Sequence, residues 1–77
     1  MTIDEMCKEL DELGVSKDLY SILQGGTPNE KLCLVYEGEW KMYYSERGNK
    51  TAEKVFQSEE EACEVFLRKL KRYARVD

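Results

Sequence analysis

Residues Trp40–Tyr73, WKMYYSERGNKTAEKVFQSEEEACEVFLRKLKRY, decide the fold. The stretch reads as two strands joined at a Gly-Asn turn and followed at once by an amphipathic helix. Ser58 stands where an N-cap belongs, and Glu61, three residues on, is placed to complete a capping box. Glu59, Glu60 and Glu61 fill the first turn, and Arg68, Lys69, Lys71 and Arg72 fill the last, which suits the helix dipole at both ends. Ala62, Phe66, Leu70 and Tyr73 recur every three or four residues, with Cys63, Leu67 and Ala74 beside them. That stripe is wide enough to cover a small sheet.

Upstream, strand KLCLVYE (31–37) precedes WKMYYSE (40–46) across Glu37-Gly38-Glu39. Parity sets their register. A two-residue loop would scatter the large apolar groups over both faces. A three-residue loop, either 36–38 or 37–39, gathers Leu32, Leu34, Trp40, Met42 and Tyr44 on one face. Cys33, Val35, Lys41, Tyr43 and Ser45 then share the other. A turn centred on Gly48 leads into TAEKVFQ (51–57), places Tyr44 opposite Ala52, and brings Phe56 to the core face near Trp40. Glu53 and Val55 fall on the outer face with Tyr43.

The first thirty residues predict two helices. Thr2 and Glu5 make a capping box, Ile3, Met6, Cys7, Leu10 and Leu13 follow helical spacing, and Gly14 stops the helix. Its back is acidic through Asp4, Glu5, Glu9, Asp11 and Glu12. Ser16 is placed to cap a short second helix, KDLYSILQ, that turns Leu19, Tyr20 and Leu23 to the core. Gly25-Gly26-Thr27-Pro28-Asn29 ends it as a turn. No Gly-Lys-Ser/Thr follows, so a phosphate-binding loop is excluded. The expected architecture is α+β in a single domain over residues 1–77: an N-terminal helix, a short helix, a three-stranded antiparallel meander, and a C-terminal helix packed on one sheet face.

Composition narrows the function. An apolar share of 42% with regular periodicity describes a folded globule. The net charge is −4 and the isoelectric point near 4.9, the reverse of a general nucleic-acid or anionic-membrane binder. Residues 1–39 carry nine acids and three bases, a charge of −6, while residues 40–77 carry seven acids and nine bases, a charge of +2. Cys7, Cys33 and Cys63 are odd in number, unclustered, and set within helix or strand patterns, as reduced packing residues would be. MTIDEMCKEL lacks an apolar signal core, and no transmembrane run follows, so a cytoplasmic location is expected. There is no histidine, no nucleophile with a base partner, and no carboxylate spacing of a cation loop. Neither an enzyme nor a cofactor is expected.

What remains is binding. The outer sheet face offers Val35, Tyr43 and Val55, with Cys33, inside an acidic rim of Glu37, Glu39, Glu46 and Glu53. A Tyr-centred apolar patch with such a rim suits a basic protein partner.

Three families share parts of this pattern. The helix–strands–helix order is similar to the double-stranded RNA-binding domain, but Ser58-Glu59-Glu60-Glu61 stands where that family has phosphate-binding lysines. Trp40, Phe56, Ser58, Glu61 and Ala62 resemble the three-stranded DNA-binding arm of phage-type integrases, which implies groove reading by Lys41, Tyr43, Arg47, Lys50 and Lys54. The acidic balance opposes that, because phosphate neutralisation supplies most such affinity. Trp40, the run Tyr43-Tyr44-Ser45-Glu46-Arg47-Gly48, and Phe56, Ser58, Glu59, Glu61, Ala62 and Cys63 resemble small bacterial immunity proteins of polymorphic and contact-dependent toxin systems. This resemblance implies a cytosolic inhibitor of a cognate toxin domain, and the acidity suits a basic one such as a nuclease.

Overall fold

The computed structural model describes residues 1–75. Residues 76 and 77, included in the expected single domain, lie outside the described residues. Helix α1 spans Ile3–Leu13 and closes its capping box in full: Thr2 Oγ1 accepts from Glu5 N–H at 3.2 Å, and Glu5 Oε1 accepts from Thr2 N–H at 2.8 Å. Gly14 ends it at φ 73°, a left-handed position that costs glycine nothing. A single 3-10 turn, Lys17–Leu19, follows with Ser16 as its cap. Four strands come next: β1 (Tyr20–Ile22), β2 (Lys31–Tyr36), β3 (Trp40–Glu46) and β4 (Asn49–Phe56). Helix α2 (Glu59–Ala74) is the last of the described elements.

The sheet order is β1-β2-β3-β4, with β1 parallel to β2 and the other pairs antiparallel. This corrects the expected three-stranded antiparallel meander: the sheet is four-stranded and mixed, and the α+β class stands. The expected second helix shrinks to one 3-10 turn because KDLYSILQ is too short to sustain a helix alone. Its aromatic and β-branched residues gain more by pairing. Tyr20 opposes Leu32 and Ile22 opposes Leu34, and both side chains pack onto the core. Leu23, expected in that core, sits at φ 61° and is exposed.

The β2–β3 register is the one that gathers the apolar residues. Tyr36 pairs with Trp40 around a three-residue loop, 37–39, in which Glu37 N–H donates to Glu39 O at 3.0 Å. Leu32, Leu34, Met42, Phe56, Phe66 and Leu70 share one core with Met6 and Leu10, and Trp40 and Tyr44 pack at its margin. At the next hairpin the turn has two residues, Arg47 and Gly48, both at positive φ. Tyr44 therefore opposes Thr51 and not Ala52. A β-bulge, with Ala52 at φ 52°, inserts one residue and restores Phe56 to its place opposite Trp40. Burial of the Trp40–Phe56 pair outweighs an unbroken ladder.

Ser58 Oγ accepts from Glu61 N–H at 3.2 Å, so α2 starts where its sequence signal lies. The expected return bond from Glu61 to Ser58 N–H is not among the hydrogen bonds of the described residues. Glu59 instead sends its Oε2 to Ile3 N–H at 2.8 Å, which places one carboxylate against the N-termini of both helices. Tyr73, read as part of the buried stripe, is half-exposed and meets Tyr44 edge-on at 5.9 Å.

Candidate functional site

The parallel pairing of β1 and β2 has a topological consequence. The chain leaves β1 beside Leu34 and must return to Lys31 to begin β2, so residues 23–30 run back across the sheet. Both helices occupy the other face. Residues 23–30 therefore strap the outer face. Leu23 N–H donates to Leu34 O at 2.7 Å, Tyr43 Oη–H donates to Gly26 O at 2.7 Å, and Asn29 Oδ1 accepts from Arg47 N–H at 3.3 Å. Gly25 and Gly26, at φ 70° and 75°, supply the left-handed steps this path requires.

Under the strap lies a second small core of Cys33, Val35 and Tyr43. Tyr43 is on the outer face, where the sequence places it, yet it is only 1% exposed, and Val35 only 5%. A side chain so covered presents no area to a partner, so Tyr43 cannot anchor one while the strap is closed. Its role is to hold the strap. Lys50 Nζ sits 4.7 Å from the Tyr43 ring centroid and caps the cluster from the side. Burial, then the adjacent Cys33, then the charges of Glu37 and Glu53 push the Tyr43 hydroxyl up to about 12. It is a protonated donor at every ordinary pH.

What stays open is the rim. A hollow of about 310 Å³ lies beside the strap, lined by Leu23, Gly25, Tyr36, Glu37 and Lys50 over the buried Val35 and Tyr43. Leu23 is 53% exposed, Tyr36 56% and Val55 46%. The Tyr36 ring, however, lies with its ladder partner Trp40, centroids 5.0 Å apart, on the helix side of the sheet, so only its backbone edge borders the hollow. Of the acids expected around the patch, Glu37 and Glu39 stand together on the 37–39 loop, and Glu53 stands at the β4 bulge. Glu46 is separate. It closes β3 at the Arg47-Gly48 hairpin, the opposite end of the strand from Glu39, a span of roughly 20 Å at strand rise.

Leu23 is not among the residues expected at the site, because its sequence reads as part of a short helix that does not form. The signal that marks it is Gly25-Gly26, two left-handed steps in a segment short enough to be drawn tightly across the sheet. Burial raises all three thiols, Cys63 to about 11 with Glu59 adding to the effect, so none is disposed to act as a thiolate. Among the described residues no cluster of three His, Cys, Asp or Glu side chains is placed to hold a metal ion. No helix among them is long and apolar enough to cross a membrane. No family model, curated protein or solved structure matches the chain.

Proposed function

We propose that this chain is a non-enzymatic protein-binding module, an immunity protein that binds and neutralises a cognate bacterial toxin domain in the cytosol. The observation that carries this reading is the rim of the strapped face. Leu23 is an exposed apolar anchor beside a hollow that Glu37 and Lys50 also line, and Glu39 stands next to Glu37 on the 37–39 loop. An exposed apolar side chain gives a partner area to bury, and the carboxylates of Glu37 and Glu39 steer a basic partner into place. The resemblance over Trp40–Cys63 supplies the biological class, and the rim supplies a surface suited to it. The DNA-reading alternative loses its central side chain, since Tyr43 is buried and Lys50 lies against its ring.

Growth protection tests the proposal. Cells producing the C-terminal domain encoded by the adjacent upstream reading frame should grow when the wild-type chain is co-expressed. They should not grow with the Leu23→Asp variant. Glu37→Lys with Glu39→Lys should slow association several-fold at low salt, with a difference that shrinks as salt is added. A wild-type chain that gives no protection, or a Leu23→Asp variant that protects equally, would overturn the reading.

A further inference from the structure

Strand β4 ends the sheet, and it is exposed from Asn49 to Val55. An edge strand leaves alternate N–H and C=O groups without a neighbour, a template on which another strand can add. Beside this edge, on the face that carries the helices, runs a cleft of about 180 Å³. Its walls are Lys54 from β4 and Val65, Arg68, Lys69 and Arg72 from α2. Lys54 opposes the buried Met42 across the ladder, which puts it on the helix side of the sheet. Of these four cations only Arg68 has an ion partner among the described residues, Glu64 at 3.7 Å. A chain of net charge −4 thus concentrates positive charge along one open edge.

We propose that this edge and cleft take an extended acidic segment of a protein partner as a fifth strand, with carboxylates at alternate positions. In an added strand every second side chain faces the helix side. Acids at those positions meet Lys54, Arg68 and Arg72. Lysine on an edge and a bulge within it ordinarily protect against indiscriminate pairing. The bulge at Ala52 divides the edge into two straight stretches, Asn49–Thr51 and Lys54–Phe56, each too short for backbone bonds alone to hold a strand. The same lysine that repels a neutral or basic strand attracts an acidic one, so the guard becomes the selector. The site is separate from the rim at Leu23 and does not depend on the immunity reading.

Fluorescence anisotropy tests it with a labelled peptide, Glu-Thr-Glu-Val-Glu-Thr-Glu. Three further probes accompany it: the same peptide with Lys for Glu, the acidic peptide N-methylated at alternate residues, and single-stranded oligothymidylate. The acidic peptide should bind saturably, and Lys54→Glu or Arg68→Glu should weaken it by about tenfold or more. N-methylation should weaken it comparably, and Leu23→Asp should leave it unchanged. In the wild-type chain, amide exchange along β4 should slow when the acidic peptide is added, a readout that needs no variant. Failure of the acidic peptide to bind, indifference to either charge reversal or to N-methylation, unchanged exchange on β4, or tighter binding of oligothymidylate would each overturn the proposal.

Discussion

Tyr43 shows how one residue can be placed correctly and still be misassigned. Alternation along β3 puts it on the outer face, but only the return path of residues 23–30 decides that the face is covered. Tyr43→Phe keeps the ring and removes the bond to Gly26 O, so it should cost about 0.5–1.5 kcal/mol in chemical denaturation. It should also speed exchange of the Leu23 amide, which the closed strap holds against Leu34. An unchanged midpoint would show that the strap is held by other contacts. The hydroxyl also sets an alkaline limit. Its folded value of about 12 lies above its ordinary 10.0, so the folded state holds this proton more tightly than the unfolded chain. That stabilisation is complete below the ordinary value and is lost as pH rises from there through the folded value. Tyr43→Phe should therefore flatten the alkaline arm of the stability profile, and a profile that still falls with wild-type steepness would assign the arm to other groups. Ser45 is the converse case. Its Oγ is buried with no hydrogen-bond partner among the described residues. Ser45→Ala should change stability by less than about 1 kcal/mol or raise it, because no bond is lost. A larger loss would reveal a partner.

The helices and the two long hairpins were legible as elements because each signal is local. Thr2 with Glu5, Ser58 ahead of three glutamates, and apolar residues every third or fourth position all act within one or two turns. The pairing of β2 with β3 was legible because only one parity collects Leu32, Leu34, Trp40 and Met42. Strand β1 was not, since three residues carry no period, and their pairing with β2 is set by the core. The bulge was hidden for a related reason. Gly48 marks a turn without stating its length, and the Ala52 insertion is dictated by Phe56 seeking Trp40 across the sheet. Helix starts give the direct test at this scale. Ser58→Ala should lose about 0.5–2 kcal/mol as an N-cap. Glu59→Ala should also destabilise, although an exposed first-turn acid ordinarily contributes only about 0.3–1 kcal/mol, because it breaks the bond to Ile3 N–H that joins the two helices. Equal melting of wild type and Glu59→Ala would mean that the tie between α1 and α2 is incidental.

At the scale of the molecule, charge and topology divide the surface into regions of different sign. The back of α1 and the rim near the 37–39 loop are acidic, while the cleft between β4 and α2 is basic. Which face of the sheet each expected site residue occupies was legible from strand parity, and which of them is covered was not. Glu37, Glu39, Glu53 and Val55 are exposed, whereas Val35 and Tyr43 lie beneath the strap and Leu23 is the exposed apolar residue beside it. Strand parity determines which face a residue occupies, but it carries no information about a loop that returns over that face. The central claim is that a basic protein domain docks on this rim with the strap in place. Its most direct test is amide chemical-shift mapping of the isotope-labelled chain during titration with the C-terminal domain encoded by the upstream reading frame. The account predicts saturable shifts at one-to-one stoichiometry at Leu23–Gly26, Tyr36–Glu39 and Val55, with the amides of α1 unmoved. Shifts confined to the acidic back of α1, or no shifts at saturating partner, would contradict it.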